Sequence, residues 1–219
     1  MNLLFDYDGT LHDCLHIYAP ALRHACAVLT AEGWLPPLNS TDEEIGSWLG
    51  LPSQEMWDNF APNLPQEQKM RASALVGDYM RQEIAAGRAR LYPQARQVLQ
   101  QLKAAGHTLL FLSNCKSAYL QAHRQAFKLD NYFAGLYCAE DCGWLPKEQV
   151  FPQIQAAHPG DFVMIGDRRH DMAVAVAHNL PAIGCAYGYG TADELQNTPY
   201  IAHDVQEIPA LVAKIAAQK

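Results

Sequence analysis

The sequence predicts an α/β fold: a doubly wound, Rossmann-like parallel sheet with a small all-helical insertion after its first strand. Three observations lead there. Short apolar runs at Asn2–Phe5, 108–112 and 162–165 show no alternation of polar and apolar residues, the pattern of strands buried on both faces of a helix-covered parallel sheet. Helical patterns lie between and after these runs, as in alternating α/β folds. About 100 residues separate the first two runs, whereas a βαβ unit needs about 30. The surplus must fold as something else.

Taken in order, the first strand carries Leu3, Leu4 and Phe5 and runs into Asp6-Tyr7-Asp8-Gly9-Thr10. Residues 14–88 read as helices throughout. The stretch 19–29 places Ala21, Leu22, Ala25 and Leu29 at helical spacing. Ser40-Thr41-Asp42-Glu43 is a capping-box pattern ahead of Ile45, Trp48 and Leu49. Pro65 suits the first turn of a helix over 65–86. Pro36-Pro37 and Gly50-Leu51-Pro52 punctuate the set. Trp48, Trp57 and Phe60 recur at helix-like intervals and are expected to form the core of the insertion.

The α/β series then resumes. A helix over 93–105 puts Val98, Leu99 and Leu102 on one face and stops at Gly106. The second strand covers 108–112, and the helix Ser117–Phe127 follows it. The helix Lys147–Ala157 precedes the third strand, 162–165. A helix over 171–178, a fourth strand at Ala182–Cys185 and a terminal helix over 205–217 complete the chain. The expected division is an α/β core from residues 1–13 and 89–219 with a helical domain from 14–88.

Composition narrows the partners. The 219 residues suit one globular domain, or one domain carrying a modest insertion. A hydrophobic share of 49% beside 18% charged residues excludes wholesale disorder. The net charge of −7, from 16 basic and 23 acidic residues, excludes a nucleic-acid partner held by a broad basic surface. No run approaches the roughly 18 apolar residues of a membrane span, so no membrane partner is expected. The amino terminus lacks a basic segment followed by a long apolar one, so no secretory signal is read there. Cys14, Cys26, Cys115, Cys138, Cys142 and Cys185 form no CxxC pair and read as reduced thiols of a cytoplasmic protein. Cys138 and Cys142 would share a face if their stretch were helical, as small packing residues. Nothing in the sequence decides the oligomeric state.

Each buried strand ends in a polar loop. The first ends in Asp6 to Thr10, the second in Ser113-Asn114, the third in Gly166-Asp167-Arg168-Arg169-His170-Asp171. In open α/β sheets the ligand site lies beyond the carboxyl ends of the strands. If these strands are parallel neighbours, Asp6, Asp8, Asp167 and Asp171 converge there. Four carboxylates in one cleft repel unless a cation sits among them, and an oxygen-rich set of this kind suits Mg2+.

These residues carry a resemblance. The pattern hhhDxDGT stands as Leu3-Leu4-Phe5-Asp6-Tyr7-Asp8-Gly9-Thr10, an apolar strand ends in Ser113-Asn114, Lys147 opens a helix, and GDxxxD stands as Gly166-Asp167 with Asp171. In order and spacing the four motifs resemble the haloacid dehalogenase superfamily of aspartyl-phosphate hydrolases, over essentially the whole chain. The insertion resembles that family's helical C1 cap, and the nearest look-alikes are the phosphoglycolate-phosphatase-like members. Ala186-Tyr187-Gly188-Tyr189-Gly190 resembles a late segment of the same group.

The resemblance implies roles. Asp6 would be the nucleophile and Asp8 the general acid and base. Gly9, Thr10, Ser113, Asn114 and Lys147 would hold the phosphoryl group. Asp6, Asp8 through its carbonyl, Asp167 and Asp171 would hold Mg2+. The acid at Asp8 sets the chain apart from the dehalogenating members. The expected activity is Mg2+-dependent hydrolysis of a small phosphorylated metabolite. A phosphotransferase of the β-phosphoglucomutase type and a non-catalytic, phosphometabolite-binding or regulatory module are the alternatives.

Several neighbours need weighing. Lys116 rivals Lys147 as the motif lysine. Arg168 and Arg169 either bind anions or pair with acids. His12 and His16 could face one way on a helix but lack a third metal ligand, and His12 follows the nucleophile loop closely enough to touch substrate. The glycines of 184–190 do not form a GxGxxG fingerprint, so no dinucleotide site is expected.

Overall fold

The computed structural model describes residues 1–218. Its elements run β1 (Asn2–Phe5), α1 (Leu15–Ala31), α2 (Asp42–Gly46), α3 (Ser53–Phe60), α4 (Gln66–Ala85), α5 (Ala95–Ala104), β2 (Thr108–Ser113), α6 (Ser117–Phe127), β3 (Phe133–Cys138), α7 (Lys147–Ala157), β4 (Phe162–Gly166), α8 (Arg169–His178), β5 (Ala182–Cys185), β6 (Ile201–Ala202) and α9 (Ile208–Ala216). The chain divides into two compact units, one of Met1–Asp13 with the segment from Leu91 onward, the other Cys14–Arg90.

The first unit is a parallel sheet in the order β3-β2-β1-β4-β5-β6. Successive strand residues point to opposite faces, and both faces are apolar. Leu3, Phe5, Leu109, Phe111, Val163 and Ile165 pack with Val98, Leu99 and Leu102 of α5, Leu120 of α6, and Ile208, Val212 and Ile215 of α9. Leu4, Leu110, Leu112 and Met164 pack on the other side with Val150, Phe151 and Ile154 of α7 and Met172, Val174 and Ala175 of α8. Burial on both faces is why these strands read as continuous apolar runs. β1 is central: Leu3 pairs in register with Leu109 on one side and Val163 on the other. The strand order reverses there, and the crevice beyond β1 and β4 is the switch point where such sheets bind ligands.

Two strands escape the sequence reading. β3 lies at the sheet edge, and only its first and last residues are fully buried. Half exposed and holding Gly135, it presents no continuous apolar run. β6 is two residues long. Cys138 ends β3 and Cys142 sits in the turn after it, so the two do not share a helix face. His12 likewise precedes α1, bridged to Asp8 and Leu91, so it is not a helical partner of His16. The last helix begins at Ile208 after a 3₁₀ turn at Val205–Glu207.

The second unit is helical. α1 packs against α4. The capping box opens α2 one residue later than the pattern first suggests: Glu44 N donates to Thr41 Oγ1 at 3.2 Å and Thr41 N to Glu44 Oε2 at 2.9 Å. Trp57 is buried and donates its indole N–H to Ser73 Oγ at 2.7 Å. The rings of Trp48 and Trp57 pack on Phe60.

Candidate active site

Backbone geometry beyond β1 and β4 builds the site. Asp6 follows β1 directly, its N–H donating to Ile165 O of β4 at 2.8 Å. The chain then turns tightly, with Thr10, Leu11 and His12 all donating to Tyr7 O. Gly9 has φ +85°, open to glycine without strain. A Cβ there would also fall 2.2 Å from Asp167 Oδ2, so this position holds two carboxyl-bearing loops together. Thr10 Oγ1 donates to Asp167 Oδ1 at 3.3 Å.

Asp6, Asp167 and Asp171 are buried, with ligand oxygens within 4.8 Å of one another. Lys147, at the start of α7 and 3% exposed, donates to Asp6 Oδ1 at 2.6 Å and Asp171 Oδ1 at 2.7 Å. Lys116 is exposed at the start of α6, so Lys147 is the lysine among these carboxylates. Asp171 also accepts from Arg168 N at 3.0 Å, closing the first turn of α8. Ser113, buried, ends β2, and half-buried Asn114 follows it.

One ammonium does not balance three buried carboxylates. Burial, then repulsion from Asp171, pushes Asp6 up to about 7 despite Lys147. Burial, then Asp6 and Asp171, raises Asp167 well above the usual carboxylate range. Burial would lower Lys147, but Asp171 and Asp6 more than compensate and hold it above its ordinary value. A dry, oxygen-rich cluster with surplus negative charge is what a hard divalent cation relieves. The residues therefore fit Mg2+.

The structure separates Asp8 from that cluster. Its carboxylate Oδ1 accepts from His12 Nδ1 at 2.7 Å and from Tyr119 OH at 2.8 Å. Burial would raise Asp8, but the His12 hydrogen bond and charge, then His123 and Tyr119, bring it below its ordinary value. Arg168 and Arg169 both reach Glu194, at 3.1 and 3.4 Å.

Three contributors lie outside the motifs. Tyr189 N donates to Asp167 Oδ2 at 2.7 Å, and Tyr187 OH to Thr10 O at 2.7 Å. Tyr119 comes from α6, and no local pattern marks it. The residues 186–190 stand out in the sequence, but only the fold shows that they lie against Asp167.

A model of the haloacid dehalogenase-like hydrolase family matches residues 3–185. The chain belongs to that family. It is an enzyme, a hydrolase of the phosphatase kind. A protein named 5'-nucleotidase from Pseudomonas aeruginosa is 27% identical over 216 residues, covering 92% of this chain and 90% of the relative. A phosphoglycolate phosphatase from Yersinia pestis is 24% identical, covering 96% and 92%. Among solved structures, a predicted phosphatase from Clostridium acetobutylicum superposes with a TM-score of 0.78 at 24% identity, covering 97% of this chain and 98% of that one. At that identity the likeness speaks to the fold.

Proposed function

We propose that this hydrolase is a Mg2+-dependent phosphatase that cleaves a small phosphomonoester, phosphoglycolate-like or another small metabolite phosphate, through an aspartyl phosphate on Asp6. The observation that carries the reading is the separation of two carboxylates of one loop. Asp6 lies with Lys147, Asp167 and Asp171, whereas Asp8 lies on its own donors, His12 and Tyr119.

A carboxylate nucleophile needs no base; its obstacle is repulsion from the phosphate. Lys147 reduces that repulsion at Asp6. Asp6, Asp167 and Asp171, with the Asp8 carbonyl, would hold Mg2+, which supplies several kcal/mol of charge stabilisation at the phosphoryl oxygens. Ser113 and Asn114 would offer the transferred group a hydroxyl and an amide, whereas the Gly9 and Thr10 amides donate within the turn, to His12 O and Tyr7 O, and the Thr10 hydroxyl to Asp167. Asp8 gives a proton to the leaving alcohol and takes one from the attacking water, a role worth about 10²–10⁴-fold. At rest Asp8 is held ionised; a docked phosphate dianion raises its proton affinity, as like charges do. In the same reading residues 14–88 are the cap and 1–13 with 89–219 the catalytic core, acting on a small phosphorylated metabolite in the cytoplasm.

The test is a screen of phosphorylated metabolites with Mg2+, including 2-phosphoglycolate and, given the 5'-nucleotidase relative, nucleoside monophosphates. Phosphate release that disappears in Asp6→Asn and in excess EDTA supports the reading. Release that persists in either contradicts it. Isomerised sugar phosphate without free phosphate would favour the phosphotransferase instead.

A further inference from the structure

We infer that His12 and Tyr119 are positioning residues for acid–base chemistry, two donors that pin one oxygen of Asp8 and leave the other for the reacting group. The inference rests on the proposed function above and deepens it.

Both donors converge on Asp8 Oδ1, at 2.7 and 2.8 Å, while among the described residues no hydrogen bond engages Oδ2. An ionised carboxylate only accepts, so His12 Nδ1 carries the proton of this bond. With Nδ1 donating to Asp8, His12 Nε2 lies buried with no hydrogen-bond partner. An unsatisfied buried polar atom is costly, and an apolar side chain would fill the same space without the cost. Holding Asp8 is what the imidazole adds.

The ring is itself held. It stacks on Tyr7, centroids 5.2 Å apart and planes within 10°, and the rings of His123, Phe127 and Tyr119 lie 4.4, 6.3 and 6.5 Å away. His123 Nδ1 and Tyr7 OH are 2.7 Å apart. Tyr119 and His123 stand four residues apart on α6, hence on one helix face. One face of α6 thus supplies both the second donor to Asp8 and the wall behind the first. A carboxylate tied by two donors keeps one orientation, and fixing a proton donor within reach of the scissile bond is a direct route to rate.

Misalignment of an acid matters most when the leaving group is poor. The experiment therefore measures kcat/KM for a series of ring-substituted phenyl phosphates, from p-nitrophenyl phosphate to phenyl phosphate, with Mg2+. For Tyr119→Phe and His12→Leu, phenyl phosphate should lose about tenfold more kcat/KM than p-nitrophenyl phosphate, so that the dependence on leaving-group basicity steepens. His12→Asn, which keeps a donor near the Nδ1 position, should restore much of the wild-type dependence. Equal losses on every ester, or none, would overturn the inference, because a packing role slows all esters alike. Should His12→Leu not fold, Tyr119→Phe removes a single oxygen and decides alone. A wild-type chain inert to every ester would overturn the proposed function, and this inference with it, before any variant is made.

Discussion

Lys147 makes its two short contacts from a buried position, so its loss would strand two anions rather than simply remove a cation. Breaking a buried pair by deleting one partner typically costs about 3–5 kcal/mol. Lys147→Met should lower the metal-free melting temperature sharply and, by restoring repulsion at Asp6, reduce kcat. Calorimetry with and without Mg2+ checks the first and steady-state assay the second. His123 predicts a pH effect. Burial, then the charge of His12, holds it well below its ordinary 6.5. The unfolded chain takes up that proton first, so the stability is complete above about pH 6.5 and is lost as pH falls below it. His123→Phe should flatten this acid-side loss, measured by urea unfolding across the range. At this scale the sequence shows residue types at motif positions but not which partner each side chain chooses. Asp6, Lys147, Asp167 and Asp171 are legible because motif spacing places them at strand ends and a helix start. The His12 and Tyr119 contacts to Asp8 are not, since Tyr119 lies 111 residues from its partner. Arg168 and Arg169, open to two readings, each reach an acid 25 or 26 residues on.

The loop after β5 acts as a clamp on Asp167. A Cβ at Gly190 would lie 1.7 Å from the Asp167 carbonyl oxygen, a backbone atom that cannot step aside alone. Gly190→Ala should therefore shift Asp167, weakening Mg2+ binding by titration calorimetry more than it lowers the melting temperature. Unchanged Mg2+ affinity would show that the loop does not set the carboxylate. The central strands β1, β2 and β4 were readable because helices cover both of their faces, and that burial leaves uninterrupted apolar runs. The same logic hid β3, whose edge position leaves mid-strand residues partly exposed, and β6, too short for any pattern.

The net charge of −7 describes the whole molecule poorly as a guide to its ligand. Part of it is concentrated beyond β1 and β4, where burial and then Asp171 push Asp6 up to about 7 from its ordinary 3.8. Between those values the folded state holds the proton more tightly than the unfolded one, so rising pH erodes metal-free stability. A bound cation reverses that erosion. Mg2+ should thus raise the melting temperature more above pH 7 than in the ordinary carboxylate range, and a gain independent of pH would argue against ligation by this cluster. The sheet order makes such a site possible, because it is the reversal at β1 that brings Asp6 and Asp167 together. The central claim is that Asp6 is the nucleophile, and rapid quenching of a single turnover with enzyme in excess tests it most directly. Attack by Asp6 breaks the ester P–O bond, releases the alcohol and leaves the phosphoryl group on the carboxylate until water displaces it. A digest of the quenched enzyme, read by mass spectrometry, then carries phosphate on the peptide that contains Asp6. Phosphate on the Asp6 peptide is the predicted result; turnover with no phosphorylated Asp6 peptide at any quench time, together with activity in Asp6→Asn, would contradict it.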